Sequence, residues 1–212
     1  MKTLKFWHGV LALVLTFAVL SGSVIFTLAF RPLYYRDIKA LHIEAHSGIS
    51  EAEIRENYDA LIDYNMSWEK GLLTFPTLPQ STEGQIHFQE VKDIFDLFKY
   101  IGIGSLLLGA IGILIMRGRG EYLYLKYTSV LAVALPAAVG CLVAIDWQRA
   151  FVLFHEIAFD NDFWIFDPAT DPVIEILPNA FFLHCAILIL CGIVVGSLVS
   201  GLLYRFIKTR QK

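Results

Sequence analysis

Residues 86–116 read IHFQEVKDIFDLFKYIGIGSLLLGAIGILIM, and no proline interrupts them. The stretch from Phe98 to Met116 is apolar and close to the length of about 20 residues that crosses a hydrocarbon core, so it is read as a membrane span. Before it, His87, Val91, Ile94, Phe95 and Phe98 fall on one side at helical spacing. The simplest reading is one helix that starts in water and runs on into the bilayer.

Three more blocks match in length and character: 8–30, 127–145 and 179–204. Together they explain a chain that is 56% hydrophobic and only 17% charged. Lys2 and Lys5 flank the first block like a signal peptide, but its apolar run is longer than a signal core. Arg31-Pro32 follows it with no small-residue cleavage site, so it is read as a retained helix.

Charge fixes an orientation. With the N-terminus inside, the inner segments hold Lys2, Lys5, Arg117, Arg119, Lys126, Arg205, Lys208, Arg210 and Lys212 against one acid, Glu121. That is the basic excess expected of cytoplasmic loops. The chain is therefore predicted to be an all-α integral membrane protein with four transmembrane helices, both termini inside, and a small helical extracytoplasmic domain between spans 1 and 2. Its parts are a first span (1–30), the extracytoplasmic domain (31–97), spans 2 and 3 with a short loop (98–145), an outer aromatic and acidic loop (146–178), and a fourth span with a basic tail (179–212). The tail is four charges long and ends a helix, so its expected partner is anionic membrane lipid and not nucleic acid.

Within 31–97, Ser50-Glu51-Ala52-Glu53 is a capping box, and Ile54, Tyr58, Leu61, Ile62 and Asn65 make one stripe behind it. Tyr35 to His46 fits either a helix or an extended segment. Gly71 to Gln80, with Pro76 and Pro79, is a loop. The piece 146–178 is rich in Phe and Trp, suiting the headgroup region. Pro136 is expected to kink the third span.

Cys141, Cys185 and Cys191 all fall in predicted spans with no CxxC, so they are read as packing residues. No G-x-S-x-G elbow, glycine-rich phosphate loop or H-E-x-x-H appears, and the acids at 160–167 lack calcium-loop spacing. No metal or cofactor is called for. What remains is acid–base chemistry. His8 is expected at the inner headgroups, and His184 faces other helices. His42 and His46 are four apart and would share a helix face, a weak metal-ligand spacing. His87 has Glu90 three residues on, which on a helix can hold one ring nitrogen and leave the other to take a proton. His155 stands among aromatics, with Asp160, Asn161, Asp162 and Asp167 close by. The bland readings are a solvated helix face for the first and an interfacial anchor for the second.

The pattern nevertheless resembles a known family. Asn57-Tyr58 through Tyr64, His87-Phe88-x-x-Val91-Lys92, and His155-x-x-x-Phe159-x-Asn161-Asp162-x-Trp164-x-x-Asp167-Pro168 are similar to the lipoprotein intramolecular transacylases of Gram-positive bacteria. The resemblance covers nearly the whole chain. Where it implies an aspartate three residues after the first histidine, this chain has Glu90, with the same charge on a longer arm. It implies an enzyme of the cell membrane, acting on its extracytoplasmic side on diacylglyceryl-modified lipoproteins. The sn-2 acyl chain would move from the glycerol oxygen to the cysteine α-amine, giving the lyso-form lipoprotein. His87 and His155 would be catalytic, and Tyr58, Glu90, Lys92, Asn161, Asp162 and Trp164 would bind or orient substrate. A metal-dependent hydrolase built on His42, His46, His87 and His155, or a non-catalytic lipid-binding module, are the competing readings.

Overall fold

The computed structural model describes the backbone of residues 2–211 and their side chains except at 2–4, 135, 138, 139, 142 and 143. Among the described residues every regular element is a helix: α1 (Lys2–Ala29), α2 (Arg31–Ala40), α3 (Ile43–Ser47), α4 (Glu51–Met66), α5 (Thr82–Gly118), α6 (Leu123–Ile145), α7 (Trp147–Ala158), α8 (Val173–Ile176) and α9 (Asn179–Arg210). Among the described residues three stretches are long and apolar enough to cross a membrane: Lys5–Ala29, Thr82–Gly118 and Asn179–Arg210. The remaining predicted span lies on α6, whose stretch Leu123–Ala134 is apolar, while part of its second half falls outside the described side chains. Pro136 sits inside α6, which continues past it.

The expected single helix from the acidic segment into the apolar one is α5, with 37 residues. At 1.5 Å per residue it is roughly 55 Å long, well beyond the ~30 Å of hydrocarbon. Its apolar part, 98–116, can fill the bilayer, and His87 lies eleven residues before that part begins.

The helices form two compact units. The first comprises Met1–Ile25, Phe98–Ala144 and Ile187–Lys212. Its helices close on small residues, as membrane helices do. A Cβ on Gly112 would stand 2.6 Å from Leu11 Cδ1, and one on Gly196 2.6 Å from Val19 Cγ1. Large apolar side chains point outward along α5 and α9, Leu106, Leu114, Leu198 and Leu202 among them. His8, expected at the headgroups, is instead buried: its ring stacks on Tyr124 and its Nε2 lies 3.3 Å from Glu121 Oε2.

The second unit comprises Phe26–Leu97 and Ile145–Ala186. Pro32 has no N–H to bond back to Leu28 and its ring would meet that carbonyl, so α1 stops at Ala29 and α2 begins anew. The undecided stretch from Tyr35 to His46 proves helical but broken, with His42 at φ 53° between α2 and α3. His42 caps α3 from outside it, so the two histidines do not share a helix face in the expected way. The N-cap half of the capping box forms, with Ser50 Oγ accepting the Glu53 N–H, and the whole expected stripe of α4 is buried. That stripe meets Tyr34, Ile38, Val173, Ile176 and Phe181 in one core, where Tyr34 stacks on Tyr58 at 3.7 Å. Asn57 pins the proline loop to α4. Its Nδ2 donates to Glu53 O and Thr77 Oγ1, and its Oδ1 accepts the N–H groups of Thr77 and Leu78.

Asp171 fastens the outer loop to the start of α5. Its Oδ1 accepts the Ser81 N–H at 2.9 Å, and Ser81 Oγ accepts the Gly84 N–H at 2.9 Å. A Cβ at Gly84 would stand too close to Asp171 Oδ1 to be accommodated, so the aspartate occupies the space that a side chain would take.

Candidate active site

His87 sits a turn and a half into α5, 5% exposed, and so it arrives on a rigid element. His155 sits in the last turn of α7, which Asp146 opens by accepting the Arg149 N–H. The two rings lie 6.1 Å apart, centre to centre, at 30° to each other. Aromatic side chains wall them in. Phe159 and Phe166 stand 4.8 and 5.5 Å from His87, and Phe151 and Trp164 stand 4.3 and 4.8 Å from His155.

This packing sets the protonation states. His155 Nδ1 is 2.7 Å from the carbonyl of Phe151, one turn back. A carbonyl only accepts, so Nδ1 carries the proton and neutral His155 presents a bare Nε2. Burial lowers His155 below its ordinary 6.5, opposed by that backbone bond, which favours the charged ring. Burial, and after it the charge on His155, lowers His87 to about 4. Both imidazoles are thus held neutral where a free histidine begins to protonate.

The anticipated hold of Glu90 on His87 is not made. His87 Nδ1 is buried and has no protein partner, whereas Glu90 Oε1 accepts from Asn161 Nδ2 at 2.8 Å. Asn161 Oδ1 in turn accepts the Phe163 N–H, an Asx turn that bends the loop so that Trp164 returns onto His155. The carboxylate therefore positions the aromatic wall and leaves the imidazole alone. The orienting partner of His155 is likewise not one of the nearby acids but a carbonyl on its own helix.

The other expected site residues divide. Trp164 touches His155, and Asn161 belongs to the same turn. Asp162 is exposed, and its carbonyl accepts the Ile165 N–H within that turn. Lys92 is buried, and its Nζ donates to the carbonyls of Tyr64 and Ser67, which ties α5 to the end of α4. Tyr58 lies in the core stack with Tyr34 and Phe181. Among the described residues no three His, Cys, Asp or Glu side chains gather as metal ligands, so nothing observed favours the hydrolase reading.

One pair escaped sequence reasoning. Asp37 on α2 is wholly buried, and its Oδ2 lies 2.6 Å from Nδ1 of His184 on α9. They are 147 positions apart, and no local pattern links them.

Comparison with known proteins adds the relationship. No curated protein matches the sequence. The chain is similar to a solved structure of the membrane-integral lipoprotein intramolecular transacylase Lit from Bacillus cereus. Identity is 33% and the TM-score 0.95, with 98% of this chain and 96% of that one covered. It is also similar to structures of that protein carrying a histidine-to-arginine or a histidine-to-alanine substitution, each at 33% identity over 98% of this chain. These have TM-scores of 0.89 and 0.90 and are covered to 92% and 94% of their own lengths. The family model for lipoprotein intramolecular transacylase Lit matches residues 9–182. Helices apolar enough to span a bilayer, a histidine pair walled by aromatics, and a match over most of the sequence agree: this chain belongs to the lipoprotein intramolecular transacylase family.

Proposed function

We propose that this protein is a membrane acyltransferase that moves the sn-2 acyl chain of a diacylglyceryl-cysteine lipoprotein to the cysteine α-amine, using His87 and His155 as acid and base. The observation that carries this reading is the histidine pair, two neutral imidazoles 6.1 Å apart with the proton of His155 fixed on Nδ1. No hydrogen bond joins the two rings, and one reacting atom can lie within reach of both.

The chemistry then runs as follows. A free α-amine has a pKa near ~8 and must lose a proton to attack an ester. An imidazole nitrogen takes that proton. The amine nitrogen adds to the acyl carbon and gives up its second proton to an imidazole. The tetrahedral intermediate collapses by expelling the glycerol oxygen, which takes that proton from the imidazolium, while the proton first removed from the ammonium passes to water. The net result is one C–O bond exchanged for one C–N bond, with no acyl-enzyme. Donor and acceptor belong to one molecule, so holding them together can supply roughly 7–11 kcal/mol of the barrier in the best case. The oxyanion needs a donor. Lys92 and Asn161, two of the candidates, are engaged within the protein. The Trp164 indole N–H, beside His155, makes no hydrogen bond among the described residues and is the better placed donor.

In this reading the protein crosses the cell membrane four times with both ends in the cytoplasm, and the site opens on the outer leaflet, where lipoproteins reside. Mass spectrometry of lipoprotein N-terminal peptides tests the function: cells with the protein should carry the N-acyl, S-monoacylglyceryl form, and cells without it should not. Identical spectra would leave the family assignment standing and reject the activity.

The pH dependence follows from the lowered imidazoles. His87, at about 4, and His155, below 6.5, stay competent as bases to lower pH than free histidine. The substrate amine protonates first. Because an imidazole takes the proton of the bound ammonium, that protonation does not by itself slow the reaction; the rate should hold through the ordinary histidine range and fall only below it. A pH–rate profile on reconstituted protein checks this. An imidazole limb at or above 6.5, unmoved by a substrate amine of lower pKa, would contradict it.

A further inference from the structure

Glu90 is half-buried, and its two oxygens have different surroundings. Oε1 accepts from Asn161 Nδ2, whereas Oε2 is fully enclosed and has no hydrogen-bond partner in the protein. No described lysine, arginine or histidine forms an ion pair with it. A buried carboxylate oxygen left unmatched is costly, and the cost disappears when a charged donor meets it. Glu90 lies three residues after His87 on α5, so the two side chains are neighbours on one helix face. The Asn161 turn that Glu90 holds is the one that lays Trp164 on His155. Glu90 thus stands one helical turn from His87 and anchors the turn that carries Trp164 onto His155.

We propose that Glu90 Oε2 is the docking atom for the protonated α-amine of the lipoprotein's N-terminal cysteine. This rests on the transacylase reading, whose substrate brings one cation to the reacting centre. An ammonium has three N–H donors. One meets Glu90 Oε2, and a second points at an imidazole nitrogen, which takes the proton. The nitrogen becomes a neutral amine, the imidazole an imidazolium, and Glu90 remains a carboxylate. Because the carboxylate favours the charged amine, it acts in capture and orientation and not in deprotonation. Its loss should therefore raise KM more than it lowers kcat.

The test compares two synthetic diacylglyceryl-cysteine peptides, one with a free α-amine and one N-acetylated, binding to protein in lipid nanodiscs at pH 7. The wild type should prefer the free amine by about ten- to a hundredfold, as expected for a charge-assisted hydrogen bond. Glu90→Gln keeps an acceptor for Asn161 Nδ2 but removes the charge, so the preference should vanish and KM should rise by a similar factor. Asn161→Ala frees the loop but keeps the carboxylate, so the preference should persist even where turnover drops. Retention of the wild-type preference in Glu90→Gln overturns the proposal, and so does its loss in Asn161→Ala alone. Binding is read without turnover. A wild type that makes no lyso-form product rejects the transacylase reading instead, whichever peptide it prefers.

Discussion

Alanine at His155 or at His87 is expected to abolish formation of the lyso-form lipoprotein while the protein still accumulates in the membrane. A positioned general acid or base contributes typically about 10²- to 10⁴-fold, and here one pair serves both proton transfers. His155 alone presents a bare Nε2 with its other nitrogen tied to Phe151, so no neighbour can replace it. His87 is buried against Phe159 and Phe166, and a smaller residue would also open the wall. His42→Ala and His46→Ala serve as controls: both histidines are exposed, and neither contacts the pair, so most activity should remain. The measurement is product per unit of membrane-inserted protein. Wild-type turnover from either site variant at equal expression would end the two-histidine mechanism.

The largest effect on stability is expected at His184. Asp37 is entirely buried, and His184 Nδ1 is its one observed partner; its other oxygen has none. His184→Ala would leave a buried carboxylate without compensation, which typically costs about 3–5 kcal/mol. Asp37→Asn removes the charge and keeps the shape, so it should cost less. In the double variant the cost of His184→Ala should shrink, because the orphaned charge is gone. Unfolding in detergent, followed for all four proteins, reads the coupling directly. Additive losses would mean that the pair is not the source of the stability.

Three of the expected spans and the helical entry to α5 could be read from sequence because they rest on composition and period, both local. The same holds for the Ser50 cap and the stripe from Ile54 to Asn65, where each residue's neighbours lie one turn away. The two histidines were found through their motifs and not through their spacing: 68 positions separate them, and only the fold brings the rings together. Glu90 shows the limit. On its helix His87 stands three residues before it, one turn away, so a local reading pairs them. The folded chain offers Asn161, 71 positions on, with better geometry. Tyr35 to His46 was undecidable because α2 buries only Tyr34, Asp37 and Ile38, too short a stripe to establish a period, and the break falls at a left-handed histidine. His8 departs from expectation because its partner, Glu121, is a loop residue 113 positions away.

The bond from Asp171 to Ser81 also bears on the order of biosynthesis. The start of α5 is synthesised first, and the carboxylate that accepts its Ser81 N–H follows 90 residues later. At ribosomal speeds of about 5–20 residues per second, that is a wait on the order of ten seconds. Until then the first turn of α5 has only the Ser81 hydroxyl to hold it. The aromatic wall around His87 emerges from the ribosome in the same late segment. The nascent protein would thus pass its early life in the membrane with His87 in place and no aromatic wall around it.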